Sequence, residues 1–271
     1  MNSRGVAIID TGLCNLDSMT RAIESCGGAP LRAHAPDDLK GVDRLVLPGV
    51  GRFGAAMEGL RARGLEDAIK NEVAAGTPLL GVCLGMQMLG AASEESEGVA
   101  GLGLIPGSIK RLQPQSGERV PHMGWNAVSP LKTDPLFAEV APETDFYFVH
   151  SYHFVCEDSA HAVASTPYCG GFTSTVRKGA VAGAQFHAEF GFLCGAVVGI
   201  REVGGLVLHV MHRPVHLEHQ FALPCRQDLP EMFELRIAHV ILAALRLVRS
   251  NSVYRSREDI LPSPGRRLAR R

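Results

Sequence analysis

Pro78-Leu79-Leu80-Gly81-Val82-Cys83-Leu84-Gly85-Met86-Gln87-Met88-Leu89 is the stretch whose reading decides the fold. Its first half is a short apolar run, the pattern of a strand buried on both faces of a parallel sheet. Its second half continues as a helix through Leu89. Between them, Gly81-Val82-Cys83-Leu84-Gly85 is a Gly-x-Cys-x-Gly turn, the cysteine counterpart of the nucleophile elbow. The flanking glycines let strand and helix approach closely while the turn lifts the cysteine. A helix N-terminus beside the sulfur favours its thiolate. A lone free cysteine is more often an inert buried residue; the glycines and the strand-to-helix setting favour a nucleophile here.

The same alternation runs upstream. Residues 6–9 are a short apolar strand. Residues 16–26 have helical spacing, stopped by Gly27-Gly28. Residues 44–47 are a second strand, ending at Pro48-Gly49-Val50-Gly51. Residues 53–75 are mostly helical, with a break near Gly64. This β-α-β order predicts an α/β fold with a doubly wound, mostly parallel sheet flanked by helices. Such sheets place ligands at the carboxyl ends of their strands, where Cys83 and both glycine-rich turns fall. Short strands dominate further on, at 104–105, 125–128, 146–149, 162–165, 172–176 and 181–186.

A thiolate nucleophile needs a base, and the base needs an orienting group. Gln185-Phe186-His187-Ala188-Glu189 follows the last strand. In extended chain residues 187 and 189 point the same way, so Glu189 is positioned to hold the His187 ring. The Gly49-Val50-Gly51 turn and the Leu84 N–H are the expected oxyanion donors. No Gly-Lys-Ser/Thr ending supports phosphate cradling.

Composition bounds the remaining classes. The chain has 271 residues, formal net charge −1 and seven cysteines without a CxxC pair. That speaks against a disulfide framework, a structural zinc site and a general affinity for nucleic acid. No cofactor or metal is expected. The N-terminus enters a strand without a signal-peptide core. The apolar stretch 191–214 is interrupted by Arg201 and Glu202, so it is a poor membrane span. A cytoplasmic location is expected.

A seam lies near residue 190. Residues 1–189 carry net charge −6; residues 190–271 carry +5, with no lysine, twelve arginines and five histidines. The readings are a basic extension, a shifted reading frame, a nucleic-acid-binding tail or a histidine-rich metal site, and the first two are favoured. The two expected units are therefore 1–189 and 190–271. Residues 231–250 have helical periodicity, and the polar end from 251 is expected to be disordered.

The front segments, taken together, resemble the class I glutamine amidotransferases, and among them the glutaminase subunits of imidazole glycerol phosphate synthase from histidine biosynthesis. The resemblance runs in order from residue 5 to about 189. It rests on Ile9-Asp10-Thr11-Gly12 with Asn15-Leu16, Leu47 to Gly51, Gly81 to Gln87, Ser93-Glu94-Glu95-Ser96, and residues 101–107. Pro121-His122-Met123-Gly124-Trp125-Asn126, Tyr147 to Tyr152 and Gly183 to His187 complete it. The hexapeptide at 121–126 is the most specific and disfavours subunits serving anthranilate or pyridoxal phosphate synthesis. The resemblance implies a Cys83–His187–Glu189 triad that hydrolyses L-glutamine. It implies glutamine-holding roles for Gln87, Glu95, Ser151 and Tyr152, and a face at Met123, Trp125 and Asn126 toward a separate (β/α)8 synthase that consumes the ammonia. The chain departs at Ala188, where the family has proline, and at Phe190, where it has a cation. The family's closing helix is also missing. A catalytically weak binding subunit is the alternative these departures leave open.

Overall fold

The computed structural model describes residues 5–138, 140 and 144–187. The tail expected from 190 onward, its helix at 231–250 and its polar end lie outside the described residues.

In chain order the elements are β1 (Val6–Ile9), α1 (Leu16–Ser25), β2 (Pro30–Ala33), β3 (Arg44–Gly49), α2 (Phe53–Ala62), α3 (Leu65–Ala74), β4 (Leu79–Cys83) and α4 (Leu84–Met88). There follow β5 (Ala92–Ser93), β6 (Gly107–Arg111), β7 (His122–Pro130), β8 (Thr144–His150), β9 (Tyr152–Cys156), β10 (Ala162–Thr166), β11 (Phe172–Lys178) and β12 (Val181–Ala184). The strand order β2-β1-β3-β4-β12 is parallel throughout. Beyond β12 the sheet turns antiparallel through β11, β10, β7 and β8.

Why the parallel half is a three-layer sandwich is visible in residue parity. Successive strand side chains point to opposite faces. On β1, Val6 and Ile8 join Met19, Ala22 and Ile23 of α1 in one core. Ala7 and Ile9 join Met57 and Leu60 of α2, and Leu65 and Ile69 of α3, in the other. The same split runs through β3, with Val46 on the first face and Leu45 and Leu47 on the second. Helix α1 starts where the Asn15 side chain accepts the Ser18 N–H at 3.2 Å, an N-cap bond. The helical run at 53–75 is broken at Gly64, whose φ is +68°, as expected. Among the described residues, no helix is long and apolar enough to cross a membrane.

The antiparallel half differs from the sequence expectation in three places. Residues 104–105 are not a strand; both N–H groups donate to the Leu89 carbonyl in a tight loop. The strand there is β6, two residues later. Strand β7 runs from His122, three residues earlier than expected, and β9 is a separate strand after β8.

One ion pair anchors this half. Arg177 Nε lies 3.0 Å from Asp134 Oδ2, and the Asp134 side chain is 2% exposed. Its other oxygen accepts the Leu136 N–H at 3.0 Å. Removing one partner of a buried pair strands the other charge. Arg177→Ala is therefore expected to lower unfolding free energy by about 3 kcal/mol, the low end for such pairs because the arginine is partly exposed. Urea midpoints at neutral pH check this, and a loss below about 1 kcal/mol would show that water replaces the guanidinium.

Candidate active site

Cys83 closes β4 with φ +54° and ψ −111°, a conformation that side-chain-bearing residues seldom adopt. Two glycines make the turn possible. A Cβ on Gly81 would stand 2.6 Å from the Gly85 carbonyl oxygen, and one on Gly85 would stand 1.7 Å from the Leu47 carbonyl oxygen. Helix α4 is thus pressed backbone to backbone against β3. Cys83 is 7% exposed and pairs in register with Gly49 of β3.

Strand β12 runs beside β4, Ala184 opposite Val82. The next residues carry on past the sheet edge. Gln185 Nε2 lies 3.8 Å from Cys83 Sγ, and the N–H of buried His187 donates to the Tyr147 carbonyl at 3.0 Å. The register thus continues to Gln185 beside Cys83, and His187 follows two residues later against β8. Glu189 lies outside the described residues.

The other expected residues divide. Gln87 is buried; its Nε2 donates to the Tyr152 carbonyl and to Gln185 Oε1, both at 3.0 Å. Tyr152 opens β9, and Ser151 precedes it, its carbonyl accepting the Leu112 N–H. Leu84 is buried directly after the nucleophile. In the glycine turn the Val50 N–H donates to the Leu13 carbonyl at 2.8 Å. Glu95 takes a structural bond, its Oε2 accepting the Phe53 N–H at 2.7 Å at the start of α2, beside Ser96 Oγ accepting Gly54 N–H. On β7, Met123 and Trp125 face outward, 47% and 43% exposed. Asn126 departs from that outward group: it is half-buried, its Nδ2 3.5 Å from His122 Nε2.

Two residues that sequence reasoning left without a role lie here. Gln185 sits inside the motif that supplies His187, yet only the fold brings it to the sulfur. His150, a buried residue of β8, lies 3.1 Å from His122. Both histidines are wrapped in rings: His122 stacks on Phe148 at 4.9 Å and Tyr168 at 4.0 Å, His150 meets Phe172 at 4.9 Å. Burial pushes the His122 pKa down to about 4 and the His150 pKa down to about 3. Among the described residues, no three His, Cys, Asp or Glu gather as metal ligands.

These neutral histidines set an acid limit. Their folded pKa lies below the unfolded value near 6.5, so the unfolded chain binds their protons first. Stability is complete above pH 6.5 and falls as pH drops toward 4, by about 1.4 kcal/mol per unit for each histidine. His153, also lowered by burial, adds to the loss. Paired surface carboxylates such as Glu66 and Glu94 begin to matter only nearer their own range. The melting temperature is expected to fall clearly between pH 6.5 and 5; a flat profile would mean the pair is not held neutral.

Comparison with known proteins places these features in company. A family model described as glutamine amidotransferase class-I matches residues 8–192. The imidazole glycerol phosphate synthase subunit HisH of Moorella thermoacetica is 41% identical over 206 residues, covering 76% of this chain and 97% of that one. The subunit of the same name from Xylella fastidiosa is 44% identical over 185 residues, covering 68% and 89%. A crystal structure of a glutamine amidotransferase from Thermotoga maritima shares the fold at a TM-score of 0.57 and 17% identity, covering 91% of this chain and 99% of that one.

Proposed function

The chain belongs to the class I glutamine amidotransferases, and from that membership we propose that it is the glutaminase subunit of an imidazole glycerol phosphate synthase in histidine biosynthesis. It hydrolyses L-glutamine to glutamate and ammonia, and a (β/α)8 barrel subunit consumes the ammonia. The observation that carries this reading is the elbow: a strained, buried Cys83 at the end of a central parallel strand, with the Gln185 amide at its sulfur and His187 two residues further along the chain. The glutaminase domain occupies residues 1–189.

The chemistry follows from the residues. Cys83 Sγ attacks the side-chain amide carbon of glutamine, and His187 holds the proton the thiol gives up. The tetrahedral oxyanion is stabilised by backbone donors. The Leu84 N–H is one; the Val50 N–H is available only once its bond to the Leu13 carbonyl is released. His187 then protonates the departing amine as the carbon–nitrogen bond breaks, leaving a thioester on Cys83. Water, deprotonated by His187, cleaves the thioester to glutamate. Glu189 orients the His187 ring. Gln87, Ser151 and Tyr152 border the substrate pocket, with Glu95 supporting it through α2. Met123 and Trp125 form the docking face for the barrel.

Ammonia release from L-glutamine, by the full chain with and without the barrel subunit, tests the reading. Release stimulated by the barrel is the expected result. A folded chain that binds the barrel and releases no ammonia would overturn it in favour of a non-catalytic binding subunit.

A further inference from the structure

His122 and His150 take no part in the chemistry above, yet they lie in a continuous polar chain ending on the nucleophile. We propose that this histidine pair is a positioning device, which fixes the Gln185 amide against Cys83 from the docking strand β7; only the link to docking rests on the function proposed above.

The direction of every hydrogen in the chain can be deduced. The Tyr152 carbonyl can only accept, so His150 Nδ1, at 2.9 Å, carries the proton and donates to it. Neutral His150 then offers a lone pair at Nε2, which accepts from His122 Nδ1 at 3.1 Å. That leaves the His122 Nε2 lone pair facing the Asn126 amide nitrogen at 3.5 Å, the longest nitrogen–oxygen or nitrogen–nitrogen contact of the series. From the other side the Gln87 amide spends one hydrogen on the Tyr152 carbonyl and the second on Gln185 Oε1. With its oxygen so engaged, the Gln185 amide is oriented with its nitrogen toward Cys83 Sγ. An N–H donor aimed at the sulfur stabilises the thiolate.

Sequence spacing shows why this reaches β7. His122 and His150 are directly opposite in the β7–β8 ladder, and Tyr152 follows His150 by two residues. On the outward face of the same hairpin Trp125 is opposite Tyr147, with ring centroids 5.6 Å apart. The Tyr147 carbonyl holds the His187 N–H. One rung of the hairpin therefore leads to the nucleophile and another to its base. A buried polar chain is sensitive to loss of any member, because the remaining groups are left unsatisfied.

Iodoacetamide alkylation of Cys83 in the full chain, located by peptide mass spectrometry, tests the device directly. His150→Leu removes both bonds and is expected to slow Cys83 alkylation about tenfold, the factor one hydrogen bond is worth. His150→Asn keeps an amide donor near the Nδ1 position and is expected to restore the rate to within about threefold, since the Tyr152 bond is retained. Gln185→Leu, at the far end, should match His150→Leu and serves if that variant fails to fold. Barrel-stimulated kcat should follow the same order. Equal alkylation rates in wild type and both leucine variants would overturn the proposal, as would failure of His150→Asn to recover. If wild type releases no ammonia while the alkylation order holds, the positioning device stands and the glutaminase reading falls.

Discussion

Cys83→Ser is expected to lower barrel-stimulated glutamine hydrolysis by ~10⁴-fold or more, the cost of removing a nucleophile from a triad, while the melting temperature stays near that of wild type. Serine replaces one atom with a slightly smaller one, so the turn at φ +54° and the packing around it are kept. What is lost is acidity: a hydroxyl is far harder to ionise than a thiol, and the elbow supplies geometry rather than a new base. No other described cysteine can take over. Burial pushes Cys26 and Cys156 up to about 11, and raises Cys14 and Cys169 as well. Each is thereby held as a thiol rather than a thiolate. The measurement is ammonia release with saturating glutamine and barrel subunit. Residual activity above about one per cent would move the nucleophile elsewhere and remove the central support for the proposed chemistry.

What the sequence made legible was what local rules determine. Strands β1 and β4, and β3 after Arg44, are buried on both faces, so each reads as an apolar run. The elbow is legible because only glycine tolerates the approach at 81 and 85. Edge strand β2, Pro30-Leu31-Arg32-Ala33, was invisible: its middle residues are exposed and it opens with proline, which edge strands accept. Strands β8 and β9 meet at a single residue, Ser151, so neither glycine nor proline marks the turn. Leu104 and Ile105 look like a strand because they are apolar, but their N–H groups share the Leu89 carbonyl. In the site, Cys83 and His187 could be singled out because motifs carry them. Gln185 was not given a role because its partner lies far along the chain, and His150 because its contact with His122 depends on the pairing of β7 with β8. Gln185 is 102 residues from Cys83 in sequence, and nothing in local pattern announces that contact. Glu95 and Val50 show the same limit: which partner each takes, the Phe53 N–H and the Leu13 carbonyl, depends on segments packed from elsewhere.

Gly85→Ala is expected to be the most damaging single methyl in the described fold, costing at least about 3 kcal/mol, the upper end of ordinary overpacking. The added carbon would lie 1.7 Å from the Leu47 carbonyl oxygen and 2.8 Å from its carbonyl carbon. Both belong to backbone, so no rotamer change relieves the clash. Leu47 is fully buried in β3 and its strand is paired on both sides, with Gly81 opposite it on β4. Either α4 lifts off or β3 leaves its register. Gly49→Ala provides the graded comparison: its carbon would meet Leu84 side-chain atoms at 3.2 and 3.4 Å and the Gly85 nitrogen at 3.3 Å, close enough to strain but within reach of small shifts. Urea midpoints should therefore order wild type, Gly49→Ala, Gly85→Ala, with the last expressing largely as insoluble protein. If soluble Gly85→Ala is obtained, its glutaminase rate is expected to fall by about 10²-fold or more, because α4 begins one residue after Cys83 and a displacement near 1 Å costs that much in a positioned nucleophile. A Gly85→Ala protein with wild-type stability and rate would mean that α4 and β3 do not touch as described, and the physical account of the elbow would fail with it.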